Sequence, residues 1–307
     1  MGVKNAGAIE VGGHGLRIGN LDRVVFPRAG VTKGAVLDYY VRVGDAMLPH
    51  LRERLLHMHR YPEGVEGPRF WQKGCPEHRP EWMAIAPVWS QAKQANIDYC
   101  VVNELAGLLW AVNIGSIELH TSLHRRDVMH RPTVLAFDLD PGEGVDVLGC
   151  GAVALRLRAL LAGAGLRGLV KTSGSKGLQV YVPLNDEQVT YAQTKPLAKA
   201  IAQALEAESP GEVISRMARD ERRGRVLVDW GQNTEHKSMV CAYSVRAKER
   251  PTVSTPVRWE EVEAAVADDD RGALVFEMRD VLERIERHGD LFAGVLTAKQ
   301  DLARLAR

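Results

Sequence analysis

Asp138 and Asp140 sit at the end of the apolar run Thr133–Leu139, which reads as a buried strand leading into Pro141 and Gly142. With one residue between them, their side chains fall on the same side of the strand, about 7 Å apart along it. Like charges beside an apolar strand are costly unless a proton or cation compensates, and a divalent metal is the usual partner for oxygen ligands. Asp229 ends a second apolar run, Val226–Val228, and supplies a third carboxylate if the two strands lie across one sheet. In enzymes that transfer nucleotidyl groups such a cluster holds two cations about 3.5–4 Å apart. One lowers the pKa of the attacking hydroxyl and the other bridges the triphosphate. By itself a D-x-D is common, and is more often a turn cap or a solvated pair.

Two further segments favour the chemical reading. In Lys171–Gly177 (KTSGSKG) the glycines allow close backbone approach to an anion, Ser173 and Ser175 offer hydroxyls, and Lys176 offers a point charge for a phosphate. The spacing is not that of a Walker A loop, and a strand rather than a helix follows, so a flexible hairpin loop is the competing reading. Lys237 and the run Ser244–Arg250, which includes Arg246, place more cations after Asp229. Such runs are usually solvated faces. Their order here, carboxylate pair, phosphate-type loop, carboxylate, then Lys and Arg, is what a polyanionic substrate with bound metals requires.

The elements that position these groups follow from periodicity. The 307 residues, 45% hydrophobic and 26% charged, form an ordinary globular composition with a net charge of +1, so any basic site is local. A strand is expected near Leu16–Ile18, a helix capped by Thr32 over Lys33–Leu48, and a long aromatic and basic loop over Pro62–Pro80. Asn103 is a plausible cap for a helix ending near Gly115, before a strand at Ile117–His120. Helices at Val145–Leu166 and Tyr191–Glu208, the latter with Pro196 as an alternative start, flank strands at Leu169–Thr172 and Leu178–Val182. A strand at Arg225–Trp230 and helices at Glu260–Ala267 and Ala273–His288 complete an α/β or α+β fold with mixed sheets. Cys75, Cys100, Cys150 and Cys241 contain no C-x-x-C pair, which argues against a zinc ribbon or disulfide framework and fits a reducing cytosol. Without a signal-peptide pattern or the roughly 20 apolar residues that span a bilayer, a soluble intracellular protein with no membrane partner is expected.

The segments FDLDPG (137–142), KTSGSKGL (171–178), VDWGQN (228–233) and YSVRAKERPTVSTPVRW (243–259) resemble the polymerase domain of bacterial ligase D, of the archaeo-eukaryotic primase superfamily. The resemblance runs from residue 20 through FWQK and IELH to the C-terminal helix. It implies a primase-polymerase fold, with an RNA-recognition-type (RRM-like) catalytic sheet and a second α/β lobe. The approximate lobes are an end-binding part (1–115), a catalytic core (116–260) and C-terminal helices (261–307) within one domain (1–307). The implied activity is metal-dependent extension or filling of DNA ends and short gaps in non-homologous end joining, in the bacterial cytoplasm at the nucleoid. A primer 3′-hydroxyl attacks the α-phosphate of a ribo- or deoxyribonucleoside triphosphate and pyrophosphate leaves. Asp138, Asp140 and Asp229 would bind two Mn²⁺ or Mg²⁺ ions. Ser173, Lys176, His120, Lys237 and Arg246 would surround the triphosphate. Arg23 and Lys33 match a pocket for the 5′-phosphate across a gap, with Arg23 in place of the usual Lys but able to bind phosphate bidentately. Phe70 and Trp71 match an aromatic pair that stacks on a template base, worth about 1–3 kcal/mol per base. Otherwise the pair is a hydrophobic plug. Arg60 and Arg222 would touch template or primer. A Ku-type end binder and a DNA ligase are the implied partners.

One position departs from the resemblance: Gln179 stands where a histidine is usual. An amide still donates a hydrogen bond to a phosphate oxygen but carries no charge, and losing a charge-assisted contact costs about 1.5–3 kcal/mol. Weakened nucleotide binding or catalysis is the expectation. His57, His59, His124, His130, His236 and His288 read as surface or capping residues, and Cys75 with His78 lacks a second pair at zinc spacing. Two rivals remain. A haloacid-dehalogenase-type phosphatase also opens on strand-DxD but wants Thr or Val where Pro141 and Gly142 stand. A non-catalytic DNA-end aligner would use Arg23, Lys33, Phe70 and Trp71 beside a crippled nucleotide pocket.

Overall fold

The strand Val134–Pro141 is apolar on both faces because both faces are buried. Leu135, Phe137 and Leu139 enter one core with the helices Val147–Gly163 and Tyr191–Glu208, whereas Val134 and Ala136 enter a second core shared with another sheet. The structure, a computed structural model, describes residues 7–218 and 220–302. Its catalytic sheet has the order Val213–Ile214, Val226–Asp229, Val134–Pro141, Leu178–Pro183, Leu169–Thr172, Pro256–Val257. All neighbours are antiparallel except the first, parallel pair. Helices therefore cover one face, including Trp259–Ala267 through Val262 and Ala265.

The other face meets a second sheet, ordered Met239–Val240, Ser116–Thr121, Leu56–Arg60, Ala95–Cys100, Ile85–Ser90, with Phe70–Gln72 also paired to Leu56–Arg60. Strands from residues 56–121 and from 239–240 thus join in one layer. The helix Lys33–Leu51 packs on it, capped as expected by Thr32, whose Oγ1 accepts from the Ala35 amide at 3.2 Å. No helix among the described residues is long and apolar enough to cross a membrane.

Several expectations are corrected. Cys75 and Cys100 form a disulfide: the chain after Phe70–Gln72 runs beside Ala95–Cys100, where the Cys75 amide bonds the Asp98 carbonyl at 2.6 Å. The loop Pro62–Pro80 contains the strand Phe70–Gln72. Pro196 lies inside its helix, whose start is set by Thr190 and Gln193 in a capping box. Asn103 does not cap the next helix, because its side chain is drawn to the backbone and carboxylate of Glu53. His57 and His124 are buried rather than on the surface. Burial lowers the pKa of His57 to about 3 and that of His124 to about 4, with nearby cations adding to both shifts.

Candidate active site and nucleic-acid interface

Register brings the three aspartates together. Asp138 is directly opposite Asp229 on one neighbouring strand and opposite Gln179 on the other, and Asp140 follows on the same face. Gln179 Nε2 donates to Asp138 Oδ1 at 3.0 Å. Asp229 Oδ1 accepts from the Gly231 amide at 2.7 Å and its Oδ2 from Gln232 Nε2 at 2.8 Å, so neutral donors rather than an ion pair hold it. Burial, then the charges of Asp140 and Asp229, push the Asp138 pKa up to about 7. Asp140 is raised by burial and by Asp229. Among the described residues no trio of acidic, histidine or cysteine side chains is gathered into a ready-made metal cage. The donor set nonetheless suits hard divalent cations: three carboxylates on one sheet face, two of them with raised pKa values.

Beside them, the loop between Leu169–Thr172 and Leu178–Pro183 is shaped by its own polar atoms. Ser173 Oγ accepts from the amides of Ser175 (3.2 Å) and Gly177 (3.1 Å). Gly174 has φ +65°, and a Cβ at Gly177 would meet the Leu139 carbonyl oxygen at 1.9 Å, so only glycine lets the loop lie against the acidic strand. Lys176 is left exposed at its tip. Arg246 closes the opposite wall, donating through Nη1 to the Ser173 carbonyl.

The second sheet supplies the facing wall. In Ser116–Thr121, Glu118 and His120 share one face of a wholly buried strand. Glu118 Oε2 is 3.2 Å from His120 Nε2 and 3.2 Å from Arg246 Nε, and Oε1 accepts from the Ala247 amide at 3.0 Å. Burial would raise the Glu118 pKa, but hydrogen bonds from His120 and His59 and the Arg246 charge hold it well below the carboxylate range. Burial keeps His120 neutral, with its pKa lowered to about 4. Trp71, 55% exposed, stacks on His59 with centroids 4.5 Å apart and meets His120 edge-on at 4.7 Å.

Trp71, His120, Asp138, Asp140, Ser173, Lys176, Gln179, Arg222 and Arg246 line one open cleft of about 450 Å³. Asp229, beside Asp138 on the neighbouring strand, is not among the residues that line the cleft, and Lys237 stands exposed just before the lining residue Ser238. Another cavity, of about 280 Å³, lies on the far side of the same loop but is largely apolar and contains none of the three aspartates. Sequence alone assigns no role to Glu118 or to the Lys171 side chain and reads His59 as a surface or capping residue. A signal for the first was present, an acid two residues from a histidine in an otherwise apolar strand.

Arg23 and Lys33 line a separate cavity of about 210 Å³ with Asn20, Tyr61, Pro62 and Asn113. Lys33 Nζ donates to the Gly19 carbonyl (2.8 Å) and Asn113 Oδ1 (2.6 Å), and Arg23 Nη1 to the Pro62 carbonyl (2.7 Å). Burial, then the Arg23 charge, lowers the Lys33 pKa to about 8. Arg60 is tied to the Ile114 carbonyl and Gln72, 5.2 Å from the Phe70 ring. Ile114, which holds Arg60, also lines this cavity, whereas Trp71 on the neighbouring strand lines the cleft.

The chain is 36% identical over 280 residues to the multifunctional non-homologous end joining protein LigD of Mycolicibacterium smegmatis, which covers 91% of this chain and 36% of that protein. It is 29% identical over 286 residues to the bifunctional LigD of Bacillus subtilis, covering 93% of this chain and 45% of that protein. It thus spans less than half the length of these relatives. The polymerase domain of Mycobacterium tuberculosis ligase D, solved in complex with DNA, matches with a TM-score of 0.84 at 35% identity, over 93% of this chain and 99% of that one. The primase-polymerase domain of LigD matches residues 32–292, and the chain belongs to that family.

Proposed function

We propose that this chain is a metal-dependent DNA repair polymerase that adds nucleotides to a primer 3′-hydroxyl at ends and short gaps and recognises a downstream 5′-phosphate. The observation that carries the reading is the register of Asp138 against Asp229, with Asp140 on the same face, at a cleft flanked by Lys176 and Arg246. Asp138, Asp140 and Asp229 would hold the Mn²⁺ or Mg²⁺ ions. Bound there, divalent ions supply charge for the attacking hydroxyl and the leaving phosphates. The protein's own part is positioning. Lys176 and Arg246 offer donors to the triphosphate from opposite walls, the loop glycines bring backbone close to it, and Glu118 fixes the Arg246 guanidinium. Neutral His120 offers a hydrogen bond without adding charge. The exposed face of Trp71 offers a platform for a template base, and Arg23 with Lys33 a seat for the 5′-phosphate. A Ku-type end binder and a ligase activity, acting at the bacterial nucleoid, complete the proposed pathway.

Primer extension on a gapped duplex, with Mn²⁺ and ribonucleoside triphosphates, tests the reading. Extension that Asp138→Asn abolishes is expected. DNA binding without extension makes the chain an end-alignment module, and phosphate release from small esters makes it a phosphatase.

A further inference from the structure

Lys171 is wholly buried, and among the described residues no carboxylate pairs with it directly. Its ammonium donates to Gln179 Oε1 and, at 2.6 Å, to Ser254 Oγ, and stands 5.6 Å from the centre of the Tyr181 ring. Gln179 is opposite Lys171 on one neighbouring strand and opposite Asp138 on the other, so the three form one cross-strand row. Burial lowers the Lys171 pKa to about 7 while the nearby Asp138 charge favours its protonated form, which only donates, so the carbonyl end of the amide faces Lys171. The NH₂ end is thereby turned to Asp138 Oδ1, at 3.0 Å. An unanchored glutamine could turn its carbonyl to a protonated Asp138 or its NH₂ to the carboxylate, whereas the Lys171 bond holds the donor end toward Asp138 and so favours the carboxylate.

We propose that Lys171 is a positioning residue of the polymerisation site, which fixes the Asp138 carboxylate for metal binding through Gln179. The inference rests on Asp138 being a metal ligand. Gln179 bridges Lys171 to Asp138 through both ends of its amide, with one Nε2 hydrogen left for a ligand in the cleft. Groups that orient a metal ligand from behind typically change metal affinity by about 10–100-fold when removed.

The test titrates the full chain with Mn²⁺ alone, reading free Mn²⁺ by electron paramagnetic resonance, with thermal midpoints measured in parallel. Lys171→Met and Gln179→Leu should each weaken Mn²⁺ binding by about tenfold or more. The double variant should be no weaker than the worse single one, since both break the same chain of bonds. Lys171→Arg should retain most of the affinity. Ser254→Ala, which removes the other anchor of Lys171, should shift affinity in the same direction by a smaller factor, and decides the matter if Lys171→Met does not fold. Parent-like Mn²⁺ affinity in Lys171→Met, or losses that multiply in the double variant, overturns the proposal. A lowered midpoint with unchanged affinity reduces Lys171 to a structural brace. Asp138→Asn separates the two levels: if it binds Mn²⁺ like the parent, the metal reading fails and the positioning role falls with it. If only Lys171→Met is silent, the metal reading stands alone.

Discussion

At the scale of single residues, the acidic trio stores free energy against the fold. Asp138 has a pKa near 7 in the folded chain, against about 3.9 for an unfolded aspartate. The native state therefore binds its proton more tightly, so the ionised carboxylate destabilises the metal-free protein above pH 7. That penalty fades as the pH falls from 7 towards 4. Asp138→Asn should raise the stability of the chelator-treated protein at pH 8 by about 1–3 kcal/mol, a range already reduced for partial contact with water. The gain should shrink towards pH 4, and Mn²⁺ should stabilise the parent but not the variant. Thermal melts across pH check this, and a variant less stable than the parent at pH 8 would sink it. The aspartates themselves were legible in the sequence because a charge ending an apolar run is conspicuous. The roles of Glu118 and Lys171 were far less so, because their partners lie far away in the chain: Arg246 is 128 positions from Glu118 and Ser254 is 83 from Lys171.

At the scale of elements, periodicity found the long helices and the four central strands of the acidic sheet but missed its short edge strands Val213–Ile214 and Pro256–Val257 and the hairpin Ile85–Ser90 and Ala95–Cys100, and it began the helix Met278–His288 too early, at Ala273. Pro87 lies on the sheet's edge strand, and Asn96 and Asp98 lie on its neighbour beyond the single pair, Leu56 with Cys100, that ties this neighbour to Leu56–Arg60, so both runs lack a clean alternation. The disulfide was hidden for a related reason, since the spacing of Cys75 and Cys100 says nothing until the hairpin is placed. Another concealed device is Asn233. Where Val226–Asp229 ends, its buried side chain accepts from the Ala136 amide at 3.0 Å and donates to the Ala136 carbonyl at 2.7 Å. A second Nδ2 bond reaches the Trp230 carbonyl at 2.9 Å. An amide side chain thus continues the strand ladder past Asp229 and holds the turn that carries Gly231 and Gln232. Asn233→Ala leaves two buried backbone groups unpaired and should cost about 2–4 kcal/mol in urea unfolding. Extension at temperatures where the variant is still folded should also fall, because Asp229 loses its frame. Full activity in a destabilised variant would show that the turn holds without it.

At the scale of the whole molecule, a net charge of +1 leaves DNA binding to local clusters, and two candidates are the Arg23–Lys33 cavity and the acidic cleft that Trp71 lines. Affinity should therefore fall with salt through a few phosphate contacts rather than by general attraction. The Arg23–Lys33 cavity adds a dependence that the catalytic cleft does not. Lys33, with its pKa lowered to about 8 by burial and by Arg23, is charged below that pH and becomes neutral above it. A bound phosphate dianion stabilises the charged form, so preference for a 5′-phosphate over a 5′-hydroxyl should be full near pH 7 and weaken by up to about tenfold by pH 9. Lys33→Met should lose the preference at both values. Lys33→Arg should keep it and remove its pH dependence, because a guanidinium stays protonated throughout. Competition between phosphorylated and unphosphorylated gapped duplexes measures the ratio directly. A preference that is flat from pH 7 to 9 in the parent, or that survives Lys33→Met, would place the phosphate elsewhere on the surface and leave this cavity a purely structural junction between Gly19, Pro62 and Asn113.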